Sequence, residues 1–166
     1  MTLSTRLFKL AAVIGCAFLA SSIRAATSTT SFQVQLTIVA SCSVAAPATL
    51  DFGSTGSLAA VAPATTTINV TCTPTTAYDI ALNKGSHGSS VSDRKMQGAV
   101  HSAQISYKLT QDVAGLINWG ETIGSDTETG VGTGLAIPHV AYGSVPAQAT
   151  PVPDVYSDTI TVTITY

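Results

Sequence analysis

The 166 residues carry 45% hydrophobic and only 10% charged side chains, with seven cations against nine carboxylates for a formal charge of −2. That is room for one domain with a sizeable core, and the absence of any basic footprint excludes nucleic acid and anionic lipid as partners. Thr, Ser, Ala, Val and Gly dominate, which is the make-up of an all-β extracellular domain: β-branched residues suit a pleated, half-buried surface and small polar ones cover its outer face, as they would where copies pack together.

Residues 1–25 read as a signal peptide. Arg6 and Lys9 give a positive start, residues 10–20 an apolar core of eleven residues, and Ile23-Arg24-Ala25 a cleavage site before Ala26. The core is too short to span a bilayer. Two competing readings are a retained N-terminal helix, which the polar residues 26–31 disfavour, and a lipobox at Val13-Ile14-Gly15-Cys16, which would leave only about five apolar residues after Lys9. Cleavage leaves Lys84, Arg94, Lys95 and Lys108 against nine carboxylates, a net charge of −5, and a chain soluble once exported. Cys16 leaves with the leader. In an oxidising compartment the remaining Cys42 and Cys72 are expected to pair, closing a loop of about thirty residues worth roughly 3–4 kcal/mol, the alternative being two free buried thiols.

The first element of the exported chain is residues 32–38, Phe-Gln-Val-Gln-Leu-Thr-Ile. Phe32, Val34, Leu36 and Ile38 share one face, the two-residue period of a strand with one buried side, which can pair within its own chain or with a neighbour. Residues 41–45 continue extended, residues 50–53 read as a strand end entering a turn, and residues 58–67 as a loop or edge leading to a strand at 68–72. Further strands are expected at 78–82, 94–100 and 105–109, with a brief return at 117–119. Residues 83–93 read as a solvated connection and 120–134 as a long loop or irregular hairpin. Residues 136–142 carry Val140 and Tyr142 on one face, but Pro138 makes them an edge strand or one with an interrupted ladder. Residues 156–166 give the strongest strand, with Ile160, Val162, Ile164 and Tyr166 on one face and four threonines on the other.

Short strands with no amphipathic helical run argue for an immunoglobulin-like β-sandwich. A most apolar strand that is also the final one leaves an exposed cleft and an open ladder if nothing lies beside it.

These features resemble the spore-coat-U-like domain of archaic chaperone-usher pilins. The likeness covers the exported chain and rests on the alternating opening segment running into Ser41-Cys-Ser-Val44, Leu50-Asp-Phe-Gly53, Ile68-Asn-Val-Thr-Cys72, Tyr142-Gly-Ser-Val-Pro146 and the stretch from Tyr156 to Tyr166. The resemblance implies an incomplete immunoglobulin-like subunit that lacks its seventh strand. A periplasmic chaperone lends one, and at the outer-membrane usher the N-terminal extension of the next subunit replaces it. On that footing residues 26–38 are the donor extension, with Phe32, Val34, Leu36 and Ile38 filling pockets, and residues 39–166 are the domain. Ile160, Val162, Ile164 and Tyr166 are the groove and the strand facing the chaperone. The implied product is a head-to-tail surface fibre of this or related pilins, supporting adhesion and biofilm formation.

Against chemistry, His87, His101 and His139 show no metal-ligand spacing and read as surface or loop histidines, and bonded cysteines leave no thiol nucleophile. The run from Gly130 to Gly134 lacks the preceding strand and following helix of a phosphate loop. Asp112, Asp126 and Glu128 lack the regular spacing of a calcium loop. Asn69-Val-Thr71 is a glycosylation sequon in form only. No catalytic residue, metal or cofactor is expected. The other functions open are a tip adhesin that recognises a surface or glycan, and a monomeric secreted or coat protein whose opening strand fills its own groove.

Overall fold

The computed structural model describes residues 24–166, in two units, one ending at Leu36 and the other Thr37–Tyr166. The leader, apart from Arg24 and Ala25, lies outside the described residues, as does Cys16. Residues 24–36 form no helix or strand, and every side chain among them is exposed.

The second unit is built from β-strands: β1 (Cys42–Ala45), β2 (Ala62–Cys72), β3 (Ala77–Leu82), β4 (Arg94–Gly98), β5 (Gln104–Thr110), β6 (Glu128–Val131), β7 (Ala136–Val145), β8 (Tyr156–Ser157) and β9 (Val162–Thr165). No helix among the described residues is long and apolar enough to cross a membrane. All pairings are antiparallel, in a six-stranded sheet ordered β1-β2-β7-β5-β4-β8 and a three-stranded sheet ordered β6-β3-β9.

The inward faces of both sheets make one core. Ile68, Val70 and Cys72 come from β2, Tyr78, Ile80 and Leu82 from β3, Ile105, Tyr107 and Leu109 from β5, and Trp119 from the loop after β5. Each set has the period of two that puts alternate residues on one face. Trp119 is fully buried, and its indole N–H donates to the Ile80 carbonyl at 2.8 Å, so its polar atom is satisfied inside the core.

Several elements differ from the sequence expectation, each for a local reason. Residues 32–38 form no strand, because a strand exists only where a ladder partner does, and none is present among the described residues. Residues 62–67, read as loop or edge, are the first half of β2. Ala62, Ala64 and Thr66 keep the inward parity of Ile68 and Val70, and β7 supplies the ladder from Ala62↔Val145 to Thr71↔Ala136. Residues 128–131, read as loop, are β6, where Gly130 lies opposite Tyr78 and a β-carbon would overlap its ring. Residues 117–119 make only an isolated bridge, Thr110↔Asn118. In β7, Pro138 is tolerated because β5 pairs only with residues 142–144, so the proline has a neighbour on one side alone. The inner face of β7 is Ile137, His139 and Ala141, and Val140 lies on the outer one.

The expected final strand is two strands. β8 joins β4 in the larger sheet and β9 joins β3 in the smaller, and residues 158–161 cross between them. Side chains hold this crossing where no ladder does. Asn83 Oδ1 accepts the amides of Thr161 at 2.9 Å and Gly85 at 3.1 Å, and Asp158 Oδ1 accepts those of Ser86 at 2.8 Å and Thr159 at 2.9 Å.

Candidate functional site

Between the sheets lies a groove of about 1050 Å³. Its walls are core side chains: Ile68 of β2, Leu82 of β3, Met96 of β4, Ile105, Tyr107 and Leu109 of β5, and Ala141 and Val145 of β7. Leu50 and Phe52 close one side from residues 47–56, and Tyr156, Ile160 and Val162 the other. Protein interiors are close-packed, with few voids larger than a water molecule, so an opening of this size lined by core residues is a core left unfinished.

The groove adjoins an open ladder. β9 pairs with β3 on one edge only, and among the described residues its other edge has no partner. β1, four residues long, is likewise an edge, paired with β2 alone. Along residues 159–165 every second side chain turns inward: Ile160, Val162 and Ile164 are half-buried against the core, and the threonines between them are exposed. Ile160 and Val162 line the groove. Ile164 packs on the core outside the lining, and Tyr166, 58% exposed, belongs to a separate shallow cavity beside Tyr78 and Val131. Of the four residues expected to form the groove and the strand facing a chaperone, Ile160 and Val162 thus line this opening, and Ile164 and Tyr166 continue the same stretch outside it.

Phe32, Val34, Leu36 and Ile38 are 79–86% exposed. Such a run is unusual on a soluble surface, where large apolar residues occur singly and contiguous patches mark interaction sites. At its end Ser41 is anchored: its carbonyl accepts the Thr73 amide at 2.9 Å and its own amide donates to Thr73 Oγ1 at 3.2 Å. Cys42 follows at once, bonded to Cys72 as the sequence predicts, and the two are also register partners in the β1–β2 ladder.

Few polar groups line the groove. The Tyr107 hydroxyl donates to Asp158 Oδ2 at 2.6 Å, and burial, followed by the neighbouring carboxylate, pushes its pKa up, so it stays a donor. Behind the wall Arg94 is fully buried. Its Nε donates to the Asn83 carbonyl at 2.8 Å and one terminal nitrogen donates to those of Leu82 and Trp119, both at 2.7 Å. Burial lowers its pKa, but a guanidinium stays charged in proteins, so three carbonyl dipoles hold it in place of a carboxylate.

The histidines divide. His87 is exposed, and His101 lies 3.4 Å from the Asp154 carboxylate on a turn. His139 was expected at the surface but is buried, because its position in β7 has inward parity. Its Nδ1 is 2.7 Å from Glu128 Oε1 and its Nε2 is 2.9 Å from the Tyr78 hydroxyl, a chain that spans both sheets. Burial, then Glu128, raises the Tyr78 pKa. With an ionised Glu128, the consistent arrangement is Nδ1–H donating to the carboxylate and Tyr78 donating to Nε2. Glu128 is thus committed to a structural contact, as are the two acidic neighbours with which it was grouped. Asp112 accepts the amide of Ile117, which does most to lower its pKa, and that of Leu116, and Asp126 accepts that of Thr122. The Gly130–Gly134 run ends β6 and turns into β7, with Gly132 close against Cys72.

Sequence reasoning missed Leu50, Phe52, Met96 and the β5 side chains as groove lining, since each reads as ordinary core. Period-two parity in β7 was the signal that would have placed His139 inside. No sequence signal marks Arg94.

Comparison with known proteins agrees with this architecture. Residues 28–163 match the Spore Coat Protein U domain. Protein U of Myxococcus xanthus is 32% identical over 160 residues, covering 88% of this chain and 89% of that protein. The crystal structure of the CsuC-CsuE chaperone-tip adhesion subunit pre-assembly complex, from archaic chaperone-usher Csu pili of Acinetobacter baumannii, superposes with a TM-score of 0.54 at 19% identity. That superposition covers 78% of this chain and 40% of the other, and it is a likeness of fold. Together with the paired cysteines and the all-β sandwich, the match over most of the sequence means that this chain belongs to the spore coat protein U domain family.

Proposed function

We propose that this chain is a structural pilin subunit that polymerises by donor-strand exchange into an archaic chaperone-usher surface fibre supporting adhesion and biofilm formation. The observation that carries the reading is the unfinished core beside the open edge of β9, in a chain that also holds an unpaired alternating segment, Phe32, Val34, Leu36 and Ile38. The likeness in fold to a chain of a chaperone–subunit complex supports a periplasmic chaperone as the first occupant of the groove. The usher, export through the periplasm behind a leader at 1–25, and a surface location belong to the same reading, with residues 26–38 as the donor and 39–166 as the body.

The magnitudes fit a joint that needs assistance. Burying four apolar side chains contributes roughly 6–12 kcal/mol. Ordering seven residues costs about 7–14 kcal/mol in backbone entropy. The margin comes from the ladder along β9 and from closing a core the subunit cannot close alone, the logic of strand addition. Because the donor belongs to another copy, the assembly is head-to-tail and open-ended. A scaffolding role fits the commitment of His139, Glu128, Asp112 and Asp126 to contacts that hold turns and sheets together.

Expression of residues 26–166 and of a form lacking 26–38, each with chaperone and usher, tests this by electron microscopy and size. Fibres from the longer form only are expected. A compact monomer from the longer form, with mere unfolding on truncation, would support the self-filled secreted protein instead.

A further inference from the structure

Building on the reading of residues 26–38 as a donor, we propose that the Cys42–Cys72 disulfide is a mechanical clamp at the donor's root, keeping fibre tension away from the wall of the groove. In a head-to-tail fibre, any pull on the donor enters its own subunit through the covalent chain ahead of Cys42. The first regular structure it meets is β1, four residues at a sheet edge with one neighbour. A short edge strand pulled from its end comes away bond by bond.

The segment after β1 gives that weakness a consequence. Residues 46–61 form no strand, yet they carry Leu50 and Phe52, which close one side of the groove. Phe52 packs against Tyr107 with ring centroids 6.4 Å apart, and Leu50 lies over Gly143. Peeling β1 would draw this wall away and loosen the subunit's hold on whatever fills the groove. Tension along the fibre would then open the joint it loads.

The bridge prevents this by position. It joins the first residue of β1, so the load leaves the backbone before any β1 ladder bond is strained. It passes to Cys72, buried at the end of the eleven-residue β2, which pairs with β1 on one side and, over ten register positions, with β7 on the other. Everything between the cysteines, wall included, lies in the bypassed loop. A bridge at the far end of β1, where Ala45 meets Asn69, would leave the head of the strand to peel.

Single-molecule pulling on residues 26–166 tests the clamp, with one handle at the N-terminus and the other, attached through a non-thiol group, at Val140 on the outer face of β7, so that the short edge strand β9 carries no load. Each folded molecule is pulled oxidised and again after reduction in place, so the comparison does not depend on a cysteine variant folding. The reduced molecule is expected to yield first at lower force, in a step releasing about 20 residues, or roughly 60–70 Å of chain. The oxidised molecule is expected to lack that step, and its full unfolding to be shorter by the loop of separation 30, about 100 Å. The same first yield in both states, or an early step of that length in the oxidised one, overturns the clamp. The readout needs one subunit only, so failure of the polymer reading appears separately, as missing fibres in the truncation experiment.

Discussion

Replacing Arg94 by Met keeps much of the side chain's length and removes its charge and donors. Three carbonyls, of Leu82, Asn83 and Trp119, then lose bonds of 2.7–2.8 Å inside the core. Hydrogen bonds to charged groups contribute about 1.5–3 kcal/mol each, and each buried acceptor left unmet costs about 1–3 kcal/mol. Relief from holding an ion in a dry interior offsets part of this, since buried ions are themselves expensive. A net loss of about 3–6 kcal/mol is expected, a large share of the roughly 5–15 kcal/mol that stabilises a domain. The protein supplies its own probe: Trp119 is the sole tryptophan, fully buried, and its carbonyl is one of the three. With a urea slope of about 2 kcal/mol/M, the midpoint followed by its fluorescence should fall by about 1.5–3 M. A shift below about 0.3 M would refute the claim that Arg94 ties the end of β3 to the Trp119 loop.

Leu36→Asp places a charge among the residues proposed to fill the groove of the next copy, and should abolish fibres in electron micrographs while the chaperone-bound subunit stays folded; normal fibres from it would remove Leu36 from the proposed donor. Asp154 is held at a pKa of about 2, chiefly by the His101 amide, with those of Val100 and Val155 adding to it. A depressed pKa stabilises the fold above the unfolded value, and that contribution disappears as pH falls from about 4 towards 2. Asp154→Asn should flatten the acid limb of the stability–pH curve there, and an unchanged limb would count against it. Tyr78→Phe leaves the buried His139 Nε2 without its donor and should lower the unfolding free energy by about 1–2 kcal/mol; full retention of stability would mean the hydroxyl is not part of the bridge.

The β-class was readable because Ile68, Val70 and Cys72, or Tyr78, Ile80 and Leu82, alternate without interruption, and a buried face is what fixes strand register. The front of β2 was not, since Ala, Pro and Thr carry almost no hydrophobic contrast and the strand is imposed by β7. β6 was hidden for a similar reason: its Gly130 is a space reserved for the Tyr78 ring, which local composition cannot reveal. The inward face of the C-terminal stretch was legible, and its division was not. Inward parity continues from Tyr156 to Ile164 and is interrupted in character only by Asp158, a single polar residue too slight a break to show that the ladder changes sheets at residues 158–161. Of Ile160, Val162, Ile164 and Tyr166, the residues the sequence offers for a groove, the first two line the opening between the sheets, and its other walls are not legible because they come from residues far away in sequence.

The crossing at residues 158–161 also sets the order of events as the chain folds. Its anchors are distant: Thr161 bonds Asn83 across 78 residues, Asp158 bonds Ser86 across 72, and Tyr107 reaches Asp158 across 51. Contacts of such separation make folding slow, because a long loop must close before they repay its entropy. Neither sheet acquires its full complement of strands until residues 156–165 have been made and delivered. A ribosome or translocation channel still holding that stretch therefore holds a chain that cannot finish folding, and the groove takes shape only once the whole domain is free.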